Sequence, residues 1–118
     1  MKKFLAVYIG KPEAFEAFQK KFPSEDARKA QEKKGIEAWH KWNATNASAI
    51  ADIGAPLGKT KSVSAKGVSD IRNQLTGYTI VNAESHEAAA KLFLNHPHFG
   101  LFPGDSVEIM ECLAIPGM

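Results

Sequence analysis

Two stretches of this chain are apolar on both sides of an extended backbone. In residues 3 to 9, KFLAVYI, Phe4, Ala6 and Tyr8 face one way while Leu5, Val7 and Ile9 face the other. Ser106 to Ile115 repeats the pattern, with Val107, Ile109, Leu113 and Ile115 on one face and Met110, Cys112 and Ala114 on the opposite one. Side chains alternate along a strand, so a strand that is apolar on both faces is covered on both. The 118 residues fit a single domain, 1–118, with one core. Helices packed on one face of a small sheet leave its other face bare, and the sequence therefore predicts a symmetric homodimer that covers it.

The remaining elements follow from local pattern. Gly10-Lys11-Pro12 ends the first strand, and Pro12 suits the first turn of a short helix carrying Phe15, Phe18 and Phe22. Ser24 is an N-cap, followed by Glu25 and Asp26 at the positive end of a long helix running to about residue 48, with Gly35 its weak point. Residues 52 to 58, DIGAPLG, are dense in turn formers. Residues 61 to 66 alternate as a half-exposed strand, and GVSDIRNQL reads as a polar loop. Gly77 to Ala83 is a stronger strand, and Ser85 caps a helix to about Asn95. The order β, short helix, long helix, β, β, helix, β predicts an α+β fold with helices on one side of an antiparallel sheet.

Hydrophobic residues at 44% and charged residues at 24% are ordinary globular composition. The net charge of +2 is spread over lysine doublets of solvated helix surface, not gathered into the dense basic face that nucleic acid requires, so no nucleic-acid partner is expected. The apolar run from Phe4 to Ile9 is too short for a signal peptide, and no stretch approaches the length of a membrane span. A lone Cys112 in an apolar strand reads as a buried small hydrophobe in a reducing compartment, and the protein is expected in the cytoplasm.

The segments IADIGAPLG, TGYTIVNAES and HPHFGLFPGDSVEIMECLAIPGM resemble the YCII-related (DGPF-like) family of small bacterial proteins. The resemblance spans nearly the whole chain. It implies a ferredoxin-like split β-α-β protomer of the dimeric α/β-barrel superfamily, in which two sheets pack face to face. It also implies small-molecule binding or chemistry between sheet and helices, with isomerases, lyases and monooxygenases among the relatives. A His-Asp pair is credited to the family, the histidine lying on the long helix ahead of a Gly-Pro turn. Here the nearest candidates are His40 and Asp52, before Gly54-Ala55-Pro56.

At about 100° per residue, Ile36, Trp39, His40, Asn43, Ala47 and Ile50 share the inward stripe of the long helix. His40 is either a core histidine bonded to a carbonyl or a general acid-base facing a cavity, since its unperturbed pKa lies near neutrality. Trp39 and Trp42 are core residues or flat walls for a ring-shaped ligand. Asp52 either bonds its own turn or orients His40. NHPHFG places His96 and His98 two apart, which an extended backbone would present to one metal, but no further ligand stands at a metal spacing and no metal site is expected. Pro97 ends a helix, with His96 at its negative end. His98 and Phe99 begin an apolar, glycine-hinged loop that packs or closes a pocket. Glu108 and Glu111 fall on opposite faces of the last strand.

No phosphate loop, nucleophile elbow or Cys-His pair is present in the sequence, and no cofactor is expected. The functional expectation is a cofactor-independent lyase or isomerase acting on a small cyclic or aromatic metabolite. His40, Asp52 and His98 are its catalytic candidates, and Trp39, Trp42, Asn43, His96, Phe99 and Glu108 its substrate contacts. The alternative is a non-catalytic dimeric module that binds a metabolite or another protein.

Overall fold

A computed structural model describes residues 1–117. In chain order the elements are β1 (Lys2–Ile9), α1 (Pro12–Lys21), α2 (Glu25–Thr45), β2 (Ile50–Pro56), β3 (Thr60–Ser64), β4 (Gly67–Ile71), β5 (Leu75–Ala83), α3 (His86–Lys91), a single 3-10 turn (Pro97–Phe99) and β6 (Ser106–Glu111). Four strands form one sheet of order β2-β5-β1-β6, with every neighbouring pair antiparallel. This is the mixed α+β layout with an antiparallel sheet that the sequence predicts, and the helices between β1 and β2 and between β5 and β6 give it a split β-α-β connectivity.

The register fixes which residues meet. Phe4 lies opposite Val81 and Ala6 opposite Thr79, so the inward face of β1 meets the inward face of β5. Phe4, Ala6, Tyr8, Val81 and Ala83 pack there with Ala89 of α3 and with Phe93, while Trp39 and Trp42 close the layer from α2. Each large side chain fully buried this way contributes roughly 1.5–3 kcal/mol. Ser24 caps α2 by accepting from the Ala27 amide at 3.0 Å, and Ser85 caps α3 by accepting from the Ala88 amide at 3.1 Å. His86 is structural, stacked on Phe4 and hydrogen-bonded to the Ile109 carbonyl at 2.7 Å.

Four expectations are corrected. The turn-rich DIGAPLG supplies most of β2, an edge strand whose register slips between Ile50 and Asp52 and again between Asp52 and Ala55. Edge position and bulges accommodate the glycine and proline that a central strand would reject. The first five residues of GVSDIRNQL are a strand, not a loop: β4 pairs with β3 in a separate two-stranded hairpin, where Lys61 bridges Asp70 at 2.6 Å and Val63 faces Val68. The long last strand stops at Glu111, which leaves Leu113 at 77% exposure and Ile115 at 64%. Cys112, one residue past that end, is an exposed thiol for the same reason.

The Cα extents are 54 × 43 × 18 Å, a slab one sheet and one helix layer thick. On the face away from the helices, Leu5 pairs with Ile80 on one side and Met110 on the other. That apolar row has Met110 at 42% exposure. Among the described residues no helix is long and apolar enough to cross a membrane.

Candidate functional site

A cavity of about 490 Å³ opens between α2 and the inner face of the sheet. Trp39, His40 and Asn43 enter it from α2, Tyr8 from β1, and Ile53, Gly54 and Ala55 from the β2 edge. His98, Phe102, Pro103 and Gly104 close another side. Three- and four-residue spacing on α2 puts Ile36, His40 and Asn43 along one face. That stripe meets a hollow instead of a packed core, so His40 is exposed and reachable by a ligand.

Two glycines shape the walls. Gly35 is buried in α2, and a β-carbon there would come within 2.5 Å of Cε2 of Phe102. The helix gives up about 1 kcal/mol relative to alanine and gains a seat for the Phe102 ring. That ring meets Trp39 edge-on at 5.4 Å. Gly104 serves His98 similarly, since a β-carbon would overlap the His98 carbonyl and imidazole.

Beneath the cavity runs a chain of hydrogen bonds whose direction is fixed by its two ends. The His98 amide donates to Nδ1 of His96 at 3.0 Å, so that nitrogen is bare and the proton sits on Nε2. Nε2 of His96 lies 3.5 Å from the Tyr8 hydroxyl, which lies 2.7 Å from Oγ1 of Thr79. Thr79 in turn donates to the Ile53 carbonyl at 3.2 Å. A carbonyl only accepts, so protons point along His96, Tyr8, Thr79 and Ile53 in that order. The fixed tautomer agrees with the electrostatics. Burial, and secondarily His98, hold the His96 imidazole down to about 3, and burial pushes the Tyr8 hydroxyl up to about 12 against the smaller pull of Thr79. Both groups are neutral near pH 7.

The same geometry separates the two histidines of NHPHFG. Asn95, at φ 62°, ends the α3 segment in the left-handed region, and His96 then caps the 3-10 turn with its own ring. Nε2 of His98 meets the Ile9 carbonyl at 2.9 Å and therefore carries the proton. Burial lowers the His98 pKa, opposed by the Ile9 and Ser106 carbonyls and by the charge of Asp105. The one N–H of neutral His98 is thus held by the backbone and is not offered to the cavity.

Of the residues singled out in the sequence, the cavity brings together Trp39, His40, Asn43 and His98. Asp52 stands apart, its Oδ1 accepting from the Gly54 amide at 2.8 Å in a turn of its own backbone, with no ion pair to His40. Trp42 packs on Phe93 and His96 and donates Nε1 to the Leu92 carbonyl at 3.2 Å, which ties α2 to the end of the α3 segment. His96 is 2% exposed and sealed behind Trp39 and Trp42, with no surface for a substrate. Phe99 is not among the residues that line the cavity, and Glu108 lies opposite Val7 on the outer face of the sheet. Tyr8, Thr79 and Phe102 went unassigned to the site. A tyrosine hydroxyl and a threonine on the inward faces of two strands were the available signal, since each needs a buried partner.

No family model matches the chain, and no curated protein matches it. Its fold is similar to that of 5-chloro-2-hydroxyhydroquinone dehydrochlorinase from Burkholderia phenoliruptrix, solved in complex with 2,5-dihydroxybenzoquinone. The TM-score is 0.51 at 14% identity, over 92% of this chain and 90% of that one. At that identity the likeness is one of fold.

Proposed function

We propose that this protein is a cofactor-independent lyase for a small hydroxylated aromatic ring, working as a YCII-like homodimer with two sheets face to face. The observation that carries the reading is the ring-walled cavity of about 490 Å³ with the His40 imidazole reachable inside it. Its size and mostly apolar walls suit one aromatic ring. The fold neighbour, by its name, removes hydrogen chloride from a chlorinated hydroxyhydroquinone. Elimination of that kind moves one phenolic proton to the ring carbon bearing the leaving group. A second phenolic proton departs with the leaving anion, and a quinone remains. His40 is suited to carry the first proton, since an imidazole accepts and returns protons near neutral pH. Trp39 and Phe102 supply the walls that hold the ring.

For the dimer, support comes from the apolar row of Ile80, Leu5 and Met110 on the outer face of the sheet. A second reading, a non-catalytic metabolite- or protein-binding module, draws on Asp52, whose bond to Gly54 leaves His40 without a carboxylate to orient it. The test is anaerobic incubation of the purified protein with chlorinated hydroxyhydroquinones, following halide release and quinone absorbance. Catalysed release that is lost in His40→Gln supports the lyase. Release no faster than in buffer across that series rejects it in favour of the binding module.

A further inference from the structure

We infer that the cavity selects an uncharged ring rich in hydrogen-bond donors and rejects its carboxylated analogues, and that Asn43 reads one of the donors. The inference rests on reading this cavity as the ligand site and adds the class of ligand it takes.

Hydrogen-bond supply and demand carry the argument. The Tyr8 hydroxyl donates to Thr79 at 2.7 Å, and the Thr76 hydroxyl donates to the Tyr8 carbonyl at 3.0 Å. Nε2 of His98 is held by the Ile9 carbonyl, and the Gly54 amide by Asp52 at 2.8 Å. These four lining donors have therefore given their protons to the protein. No lysine or arginine lines the cavity, and Glu32 places a carboxylate there. A carboxylated ligand would lose its hydration, meet no fixed cation and face that negative charge, all of which oppose entry.

One acceptor at the cavity is left without a donor. Oδ1 of Asn43 is shielded from solvent and has no hydrogen-bond partner. Native structures leave few such atoms, and each one calls for an explanation. No hydrogen bond holds this oxygen, so turning the amide toward the cavity that Asn43 lines would break none. A phenolic O–H or an aromatic N–H arriving there would meet an acceptor that no group of the protein already occupies.

The test compares three rings of one pattern by anaerobic calorimetry: pyrogallol, its trimethyl ether, and gallate, which is pyrogallol carrying a carboxylate. Pyrogallol is expected to bind at least about tenfold more tightly than gallate, and the ether not at all, because it has no donor. Asn43→Leu is expected to weaken pyrogallol by about tenfold. Glu32→Lys, at an exposed position, is expected to bring gallate level with pyrogallol. Equal binding of gallate and pyrogallol by the natural chain, unchanged affinity in Asn43→Leu, or no pyrogallol binding at millimolar concentration overturns the inference. Binding of the ether does so too, since the amide would then present its nitrogen. Binding is read without turnover, so the expected order of affinities stands even if halide release fails, and halide release stands even if the order is reversed.

Discussion

The hydroxyl of Tyr8 and Oγ1 of Thr79 stand 2.7 Å apart on neighbouring strands, 71 residues apart in sequence, and both residues are shut off from water. This contact joins the floor of the cavity to its β2 rim, because Thr79 passes the bond on to the Ile53 carbonyl. Tyr8→Phe removes the central link and leaves the Nε2 proton of His96 without an acceptor. The expected loss is about 1–3 kcal/mol in urea denaturation. Adding Thr79→Val to that variant should cost less than it does alone, the mark of a shared network.

Acid should unfold the protein through its histidines. His96 has its pKa held down to about 3 in the fold against 6.5 when unfolded, and that of His98 is shifted the same way. Between those values the unfolded chain binds a proton that the folded chain refuses, so stability is full above pH 6.5 and falls as pH drops toward 3. The expected slope reaches about 1.4 kcal/mol per pH unit for His96. His96→Asn keeps an acceptor for the His98 amide and removes the titration, so its Tm should fall less steeply below pH 6.5.

Two glycine-to-alanine changes should separate stability from binding. At Gly54, φ is +71° and a β-carbon would strike the Tyr78 carbonyl, a backbone atom that cannot move aside. Gly54→Ala is expected to cost more than about 2 kcal/mol in thermal or urea melts. At Gly35 the obstacle is the far end of the Phe102 ring. Gly35→Ala should therefore change stability by less than about 1 kcal/mol, since helix propensity offsets the displaced ring. Ligand affinity and the fluorescence of Trp39, which Phe102 touches, should change instead.

The outer face of the sheet offers a third class of variant. Ile80→Glu places a charge beside Leu5 in the apolar row. In sedimentation the natural chain is expected at twice the mass of one copy and the variant at the mass of one, with helical circular dichroism retained. A natural chain that stays single at micromolar concentration removes the face-to-face dimer.

Much of this architecture was legible wherever local preference and burial agree. The two-faced β1, the capping serines 24 and 85 and the start of α1 at Pro12 each follow from a few adjacent residues. The face of α2 that carries Trp39, His40 and Asn43 follows from helical period alone. β2 escaped because its glycine and proline favour turns, and only pairing with β5 and two register slips make it a strand. Of the hairpin, β3 showed in the alternation of residues 61 to 66, whereas β4 escaped because its side chains are all exposed and leave no buried face to read. The fate of His96 was out of reach for another reason: its partner Tyr8 is 88 residues away, and no local pattern records so distant a contact.

Thinness has its own consequence. In an 18 Å slab, Val7 and Tyr8 are consecutive on β1 yet face opposite sides, Tyr8 toward the cavity and Val7, itself buried, toward the face away from the helices. One peptide unit is all that separates the cavity floor from the opposite face of the sheet. A shift of the β1 backbone at Val7 therefore also moves the Tyr8 ring, so the back of this sheet and the hollow at its front share one support.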